Sequence, residues 1–294
     1  MQYFPIFVDT QNINVLVVGA GEVAARKLAL LVRTEAKITV IADKICDEVE
    51  ELVKTHRVKL KPRLVNEDDI EGIQLLYLAT ADRKVNQQYA ALATQNNILV
   101  NVVDSPEDCS FITPAIVDRG KLQIAVSGSG AAPVIAGLIR TKIESWLPQS
   151  VSQLIEFAAN TRSSLKQTLN KSVGLRQFWY QFFNRNGFGF SEVTPDVFQQ
   201  TLEQCNEALG TAVTKIYFIQ SAQDISTLPI SVLPILQQID DVYFEDEVPQ
   251  ELNELIRRDA TRNRFRTNQT YEFQSANVLV YATSCNLPNT IFLK

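Results

Sequence analysis

The strongest constraint on the fold lies near the start of the chain, in Val15-Leu-Val-Val-Gly-Ala-Gly-Glu-Val-Ala-Ala-Arg-Lys27. The apolar run Val15 to Val18 has the length and β-branched content of a buried parallel strand. Gly19-Ala-Gly21 follows at once, and then Ala24, Leu28 and Leu31 recur at helical spacing. A strand, a tight glycine turn and a helix start in that order make an anion site. The turn lets backbone N–H groups approach a pyrophosphate, and the helix N-terminus adds unpaired donors and a favourable dipole. The pattern is G-x-G-x-x-A, with Ala24 as the small residue that lets helix and strand pack closely. A plain strand-to-helix turn is the alternative, but the context favours a dinucleotide. A second apolar strand, Ile38-Thr-Val-Ile-Ala42, runs into Asp43, 22 positions after Gly21. That is close to the spacing at which an acidic residue meets the adenosine ribose and selects NAD. Lys44 beside it leaves a 2′-phosphate open. Gly19, Gly21, Glu22 and Val23, with Asp43 and Lys44, are the cofactor-binding residues expected from this stretch.

The alternation continues. Ile45, Val49, Leu52 and Val53 mark a second helix, Val58 to Leu60 a short strand, and Ile73-Gln-Leu-Leu-Tyr-Leu-Ala79 another core strand ending in Thr80-Ala-Asp82. Val85, Tyr89, Leu92 and Ala93 give the next helix its buried face, and Ile98-Leu-Val-Asn-Val-Val103 supplies a further strand. Strands that alternate with helices and are apolar on both faces predict a Rossmann-type, doubly wound parallel sheet. Tyr3 to Val8 reads as an added edge strand, where Pro5 is tolerated. Ligands of such sheets bind beyond the carboxyl ends of the strands. Gly19–Val23, Asp43, Thr80, Asp82 and Asp104 all fall there.

After residue 110 the pattern changes. Phe111 to Val117 and Leu122 to Val126 read as two strands joined by a turn at Asp118-Arg-Gly-Lys121. Ser127-Gly-Ser-Gly-Ala-Ala-Pro133 is a second small-residue loop, with Pro133 suited to the first turn of the helix that follows. From 149 to about 209 the chain reads as helical, with an aromatic stripe at Phe178, Trp179, Phe182 and Phe183, and a helix start at Thr194-Pro195 leading to Phe198, Leu202, Cys205 and Leu209. Strand signals return at Lys215–Ile219, Val242–Phe244 and Val278–Tyr281. This last stretch is small for an independent α/β domain. The expected organisation is an α/β NAD-binding domain over 1–110, a small α+β dimerisation and substrate-cleft region over 111–148, a helical domain over 149–211 and a short α/β segment over 212–294.

Composition removes several classes of function. Lys and Arg number 28 against 33 Asp and Glu, a net charge of −5, which argues against general nucleic-acid binding. No apolar run approaches the about 18–20 residues that span a bilayer. The start carries no signal-peptide core, so a cytoplasmic protein is expected. Cys46, Cys109, Cys205 and Cys285 form no C-x-x-C pair, and His56 is the single histidine. A dedicated metal site is therefore not expected, and acid–base chemistry falls to carboxylates. Asp104, in Asn101-Val-Val-Asp104-Ser-Pro106, stands at the end of a core strand beside the expected nicotinamide. It reads either as a turn-forming residue or as the acceptor of the proton released as hydride leaves; its position favours the second. The Ser127–Ala132 loop is either a helix lead-in or a surface that admits a large flat ligand. Arg119, Lys121 and Arg140 are candidates for holding substrate carboxylates.

In combination, Pro5-Ile-Phe7, Val17–Lys27, Ala79-Thr80, Val85-Asn-Gln87, Asn101–Asp104, Ser110–Pro114, Ala125–Ser127 and Ala132-Pro133 resemble the siroheme synthase family, in its precorrin-2 dehydrogenase/ferrochelatase part. The resemblance covers about residues 1–210. It implies NAD-dependent oxidation of precorrin-2 to sirohydrochlorin, then insertion of Fe²⁺, a substrate here, to give siroheme in the same cleft. It implies a homodimer with contacts around 113–150, and it places the family's catalytic aspartate on Asp104. Asn101, Arg119, Ser127, Gly128, Ser129, Gly130 and Ala131 are then the expected tetrapyrrole-binding residues.

Two departures stand out. Gly128 occupies the place of a serine that some members carry phosphorylated, so that modification is not expected. Lys215–Asp224, Leu236–Tyr243 and Glu254–Ala260 resemble the start of the family's uroporphyrinogen methyltransferase half, but its glycine-rich loop has become Gln220-Ser-Ala-Gln223. Without glycine the backbone cannot approach a ligand as closely, and the chain stops short of that domain, so no methyltransferase activity is expected. Two other functions stay open: dehydrogenation without chelation, and a non-catalytic NAD-binding regulator.

Overall fold

Strand and helix alternate through the first hundred residues of the computed structural model, which describes residues 2–169, 174–207, 214–267, 269–273 and 275–293. β1 (Asn14–Val18), α1 (Glu22–Leu31), β2 (Lys37–Ile41), α2 (Asp47–Thr55), β3 (Val58–Lys61), β4 (Leu75–Leu78), α3 (Arg83–Gln95) and β5 (Leu99–Val102) follow in turn. The strands form one sheet in the order β3-β2-β1-β4-β5, every pair parallel. Its two faces have separate cores. Val15, Val17, Val40 and Tyr77 pack with Leu28 and Val49 on one side. Leu16, Val18, Leu76, Leu78, Val100 and Val102 pack with Tyr89 and Ala93 on the other. Burial on both faces explains the unbroken apolar runs of these strands, and the doubly wound α/β class expected from them is the one observed.

Tyr3 to Val8 is a correction: no strand forms there. Phe4, Ile6 and Phe7 are exposed, and Pro5 lacks the N–H a ladder needs.

β6 (Ala115–Arg119) and β7 (Leu122–Val126) form an antiparallel hairpin with Arg119 opposite Leu122. Gly120 turns it at φ +65°, the left-handed conformation a two-residue hairpin loop requires. Arg33, just past α1, pairs with Asp118 on β6 and so ties the hairpin to the sheet domain. Helices α4 (Pro133–Trp146), α5 (Val151–Thr168), α6 (Leu175–Asn186) and α7 (Thr194–Glu207) come next. The aromatic stripe is core: Phe178 and Phe182 are fully buried, stack on each other and meet Trp179 and Phe198 edge-on. Leu209 lies outside the described residues.

The remaining elements are β8 (Lys215–Gln220), α8 (Leu233–Leu236), β9 (Asp241–Phe244), α9 (Gln250–Leu255), β10 (Thr261–Arg264), β11 (Asn277–Ala282) and β12 (Thr290–Phe292). They build a second all-parallel sheet, ordered β10-β9-β11-β8-β12, with its own core around Ile219, Leu236, Val242, Leu252 and Leu279. The chain divides into two compact units, residues 1–160 with 188–191, and residues 161–187 with 192–294. The second sheet thus shares a unit with α6 and α7.

Candidate functional site: the carboxyl edge of the first sheet

Three loops at the carboxyl edge of the first sheet are bonded into one floor. Gly19 N–H donates to Ile41 O at 2.9 Å, Cys46 N–H to Ala20 O at 2.9 Å, and Ala79 N–H to Val18 O at 2.8 Å. Gly19 sits at φ +97°, and a Cβ there would lie 2.4 Å from Ala79 O. Only glycine permits this approach. Gly21 is different. It is extended and caps α1 without a side chain of its own, and a Cβ added there would meet nothing within 4 Å. The space in front of Gly21 is therefore open to a ligand. A helix start whose cap supplies no side-chain acceptor, behind open space, fits a pyrophosphate. The residues present fit a bound dinucleotide: Gly19, Gly21, Glu22 and Val23 form the turn and the start of α1, and Asp43 and Lys44 are exposed just past β2.

The loop after β4 is braced from within. Asp82 caps α3, its Oδ1 accepting Lys84 N–H at 2.9 Å. Thr80 Oγ1 lies 2.7 Å from Asn86 Oδ1, and Asn86 Nδ2 donates to Thr80 O at 3.0 Å.

Asp104 follows β5 on the same edge. It is exposed, it adopts φ +58°, and among the described residues no group hydrogen-bonds its carboxylate. The backbone around it is stapled to β5. Cys109 Sγ accepts Val102 N–H at 3.1 Å and reaches Ser105 O at 3.3 Å, while Ser110 Oγ accepts Val100 N–H at 2.7 Å. Asp104 thus lies in the turn that leaves β5, and among the described residues its carboxylate oxygens are not spent on that turn.

The expected substrate residues divide. Asn101 is buried and donates to Phe111 O at 3.0 Å, so its amide holds the chain leading to the hairpin. Arg119 is also buried. Its guanidinium pairs with Glu144 on α4 and donates to Asp118 O, a role in packing the hairpin against α4. Lys121 is exposed, and Arg140 pairs with Glu144 at 3.6 Å. Ser127, Gly128, Ser129, Gly130 and Ala131 are all exposed, with positive φ at Ser129 and Gly130, and no bond joins them to the sheet edge among the described residues. Asn86 and Cys109, which brace the loops of the site, carried no expected role. Asn86 stands within Val85-Asn-Gln87, the one signal that marked it.

In the second unit the corresponding edge is closed by its own bonds. Ser221 N–H donates to Ala282 O at 2.9 Å, Gln223 N–H to Gln220 O at 2.9 Å, and Tyr281 OH to Ser221 O at 3.0 Å. Glu245 accepts both the N–H and the hydroxyl of Thr283. A concavity of about 420 Å³ lies at the other end of these strands, lined by Arg176, Tyr180, Lys215, Asp240 and Arg257 among others. Arg257 there is committed to Asp240 at 2.9 Å and Asp259 at 2.7 Å.

Two family models match the chain: one described as putative NAD(P)-binding over residues 6–115, and one described as sirohaem biosynthesis protein central over residues 119–145. The siroheme synthase of Pseudoalteromonas atlantica is 38% identical over 272 residues, covering 89% of this chain and 58% of that protein. That of a Psychrobacter species is 33% identical over 313 residues, covering all of this chain and 64% of its own. Among solved structures, SirC, a precorrin-2 dehydrogenase, superposes with a TM-score of 0.53 at 27% identity, covering 69% of this chain and 100% of that one. The chain thus spans less than two thirds of the length of these curated relatives. These matches make the chain a homologue of the siroheme synthases, corresponding to their N-terminal part.

Proposed function

We propose that this chain oxidises precorrin-2 to sirohydrochlorin with NAD, and that it then inserts Fe²⁺ into the product to give siroheme. The observation that carries the reading is the Asp104 carboxylate, without a hydrogen-bond partner among the described residues, on the sheet edge that also bears the glycine turn. Bound NAD supplies the hydride acceptor. Gly19 and Gly21 let its phosphates reach the start of α1, and Asp43 accepts from the ribose. Asp104 takes the proton that leaves as the hydride departs. In the second step Fe²⁺, a substrate, displaces two pyrrole protons, and the same carboxylate accepts each in turn and releases it to water. The exposed 127–131 loop covers the tetrapyrrole, and Lys121 and Arg140 face its carboxylates. Asn101 and Arg119 serve by holding the backbone on which those groups stand.

A homodimer is part of the reading. α4 exposes Val134, Ile135, Leu138, Ile139 and Trp146, an apolar face of the kind that marks a protein contact. No helix of the described residues is long and apolar enough to cross a membrane, and we assign the reaction to the cytoplasm.

Anaerobic addition of precorrin-2 and NAD, followed by visible spectroscopy and then by Fe²⁺, tests the proposal. Two successive spectral changes are expected. NAD reduction with no response to iron leaves a dehydrogenase alone, and no turnover at all leaves an NAD-binding regulator. Asp104→Ala should lose at least about a hundredfold in the oxidation rate while NAD binding, measured by calorimetry, stays at the wild-type value.

A further inference from the structure

Asn86 lies on α3, four residues past the Asp82 cap, with only 5% of its surface exposed. A buried primary amide on a helix face that otherwise packs Tyr89, Ala90 and Ala93 needs partners for its polar atoms. Both partners belong to one residue of the preceding loop. The Thr80 carbonyl can only accept, so Nδ2 must face it, at 3.0 Å. Oδ1 then faces the Thr80 hydroxyl, at 2.7 Å. The amide therefore grips Thr80 by backbone and side chain together. The Thr80 hydroxyl hydrogen has two acceptors in reach, Asn86 Oδ1 and Asp82 O at 3.1 Å. With that hydrogen committed to either one, Thr80 meets a ligand as an acceptor only. Ala79 and Thr80 are also the wall against which Gly19 packs, with Ala79 O 2.4 Å and Thr80 N 3.0 Å from where a Gly19 Cβ would stand.

We propose that Asn86 is a positioning residue of the dinucleotide site: it holds Thr80 as a fixed acceptor for ribose hydroxyl donors and keeps the loop pressed against the glycine turn. This rests on the reading that the carboxyl edge of the first sheet binds NAD. Asn86 acts through Thr80 and touches no cofactor itself.

The test is NAD titration by calorimetry on the full chain, with thermal unfolding of each variant alongside. Asn86→Ala is expected to weaken NAD about tenfold, the factor that about 1.4 kcal/mol corresponds to. Thr80→Val is expected to weaken it by a similar factor, and Thr80→Ser, which keeps the hydroxyl, to bind more tightly than Thr80→Val. Because the two residues act as one unit, the double variant should bind no worse than Asn86→Ala alone. In turnover the KM for NAD rises while kcat at saturating NAD holds, a split that a loss of folded protein does not produce. Asn86→Asp keeps the shape and one acceptor but loses the donor to Thr80 O, and carries the same expectation if the alanine variant does not fold. A folded Asn86 variant that binds NAD as tightly as the wild type, or a double variant whose losses multiply, overturns the inference. A wild-type chain that binds no dinucleotide overturns instead the reading on which it rests.

Discussion

At Gly19 the backbone conformation and the neighbouring loop impose the same requirement. The φ of +97° is one that side chains rarely adopt, and a methyl group would press into the Ala79 carbonyl. Gly19→Ala should destabilise the chain by about 2–4 kcal/mol and abolish NAD binding, both readable by denaturant unfolding and calorimetry. Gly21→Ala separates the two effects. With nothing within 4 Å of its Cβ, it should leave stability within about 1 kcal/mol of wild type and still weaken NAD. Asp69 gives a pH signature. Its buried carboxylate accepts from Lys61 at 2.7 Å and from both terminal nitrogens of Arg63, and the Arg63 hydrogen bonds hold its pKa well below the usual carboxylate range. A depressed folded-state pKa contributes stability that is fully present above the unfolded value of about 3.9 and is lost as pH falls below it. Asp69→Asn should therefore cost about 2 kcal/mol at neutral pH and flatten the stability profile below about pH 4. At this scale the glycine turn at Gly19 was legible, because its backbone requirement is written into residue type and spacing. The Thr80–Asn86 grip was not, because nothing in two polar residues six apart says that their side chains face one another.

Among the elements, the fully buried strands were readable, and two edge strands of the second sheet were not. β1, β4 and β11 are fully or almost fully buried, and each is an unbroken apolar run in the sequence. β10, Thr-Arg-Asn-Arg, and the three-residue β12 gave no such signal. Both are edge strands whose pairing comes from β9 and β8 rather than from their own burial. The reverse happened at Tyr3–Val8, where an apolar run forms no strand: Phe4, Ile6 and Phe7 stay exposed and Pro5 has no N–H to give a ladder. Helix α4 is the element on which the proposed dimer depends. Leu138→Glu on its exposed face should convert a dimer to a monomer in light scattering while leaving the monomer folded. A wild-type chain that is monomeric at micromolar concentration would remove the dimer from the proposed function.

The whole molecule carries two parallel sheets with similar local grammar and different carboxyl edges. The first presents a glycine turn with open space before Gly21; the second spends the N–H groups of Ser221 and Gln223 on carbonyls of its own and ties Glu245 to Thr283. The full chain should accordingly show no heat of binding with S-adenosylmethionine and transfer no methyl group to uroporphyrinogen; micromolar binding of that cofactor would refute this. The sequence by itself determined the α/β class, the position of the glycine turn and the resemblance to siroheme synthases, since these rest on periodicity, local spacing and motif. Only the tertiary structure decided that Arg119 and Asn101 are buried supports, that the Asp104 carboxylate has no hydrogen-bond partner among the described residues, and that β10 and β12 complete a second sheet. Such features depend on which atoms meet across long stretches of chain, and a buried arginine and a solvated one are written with the same letter.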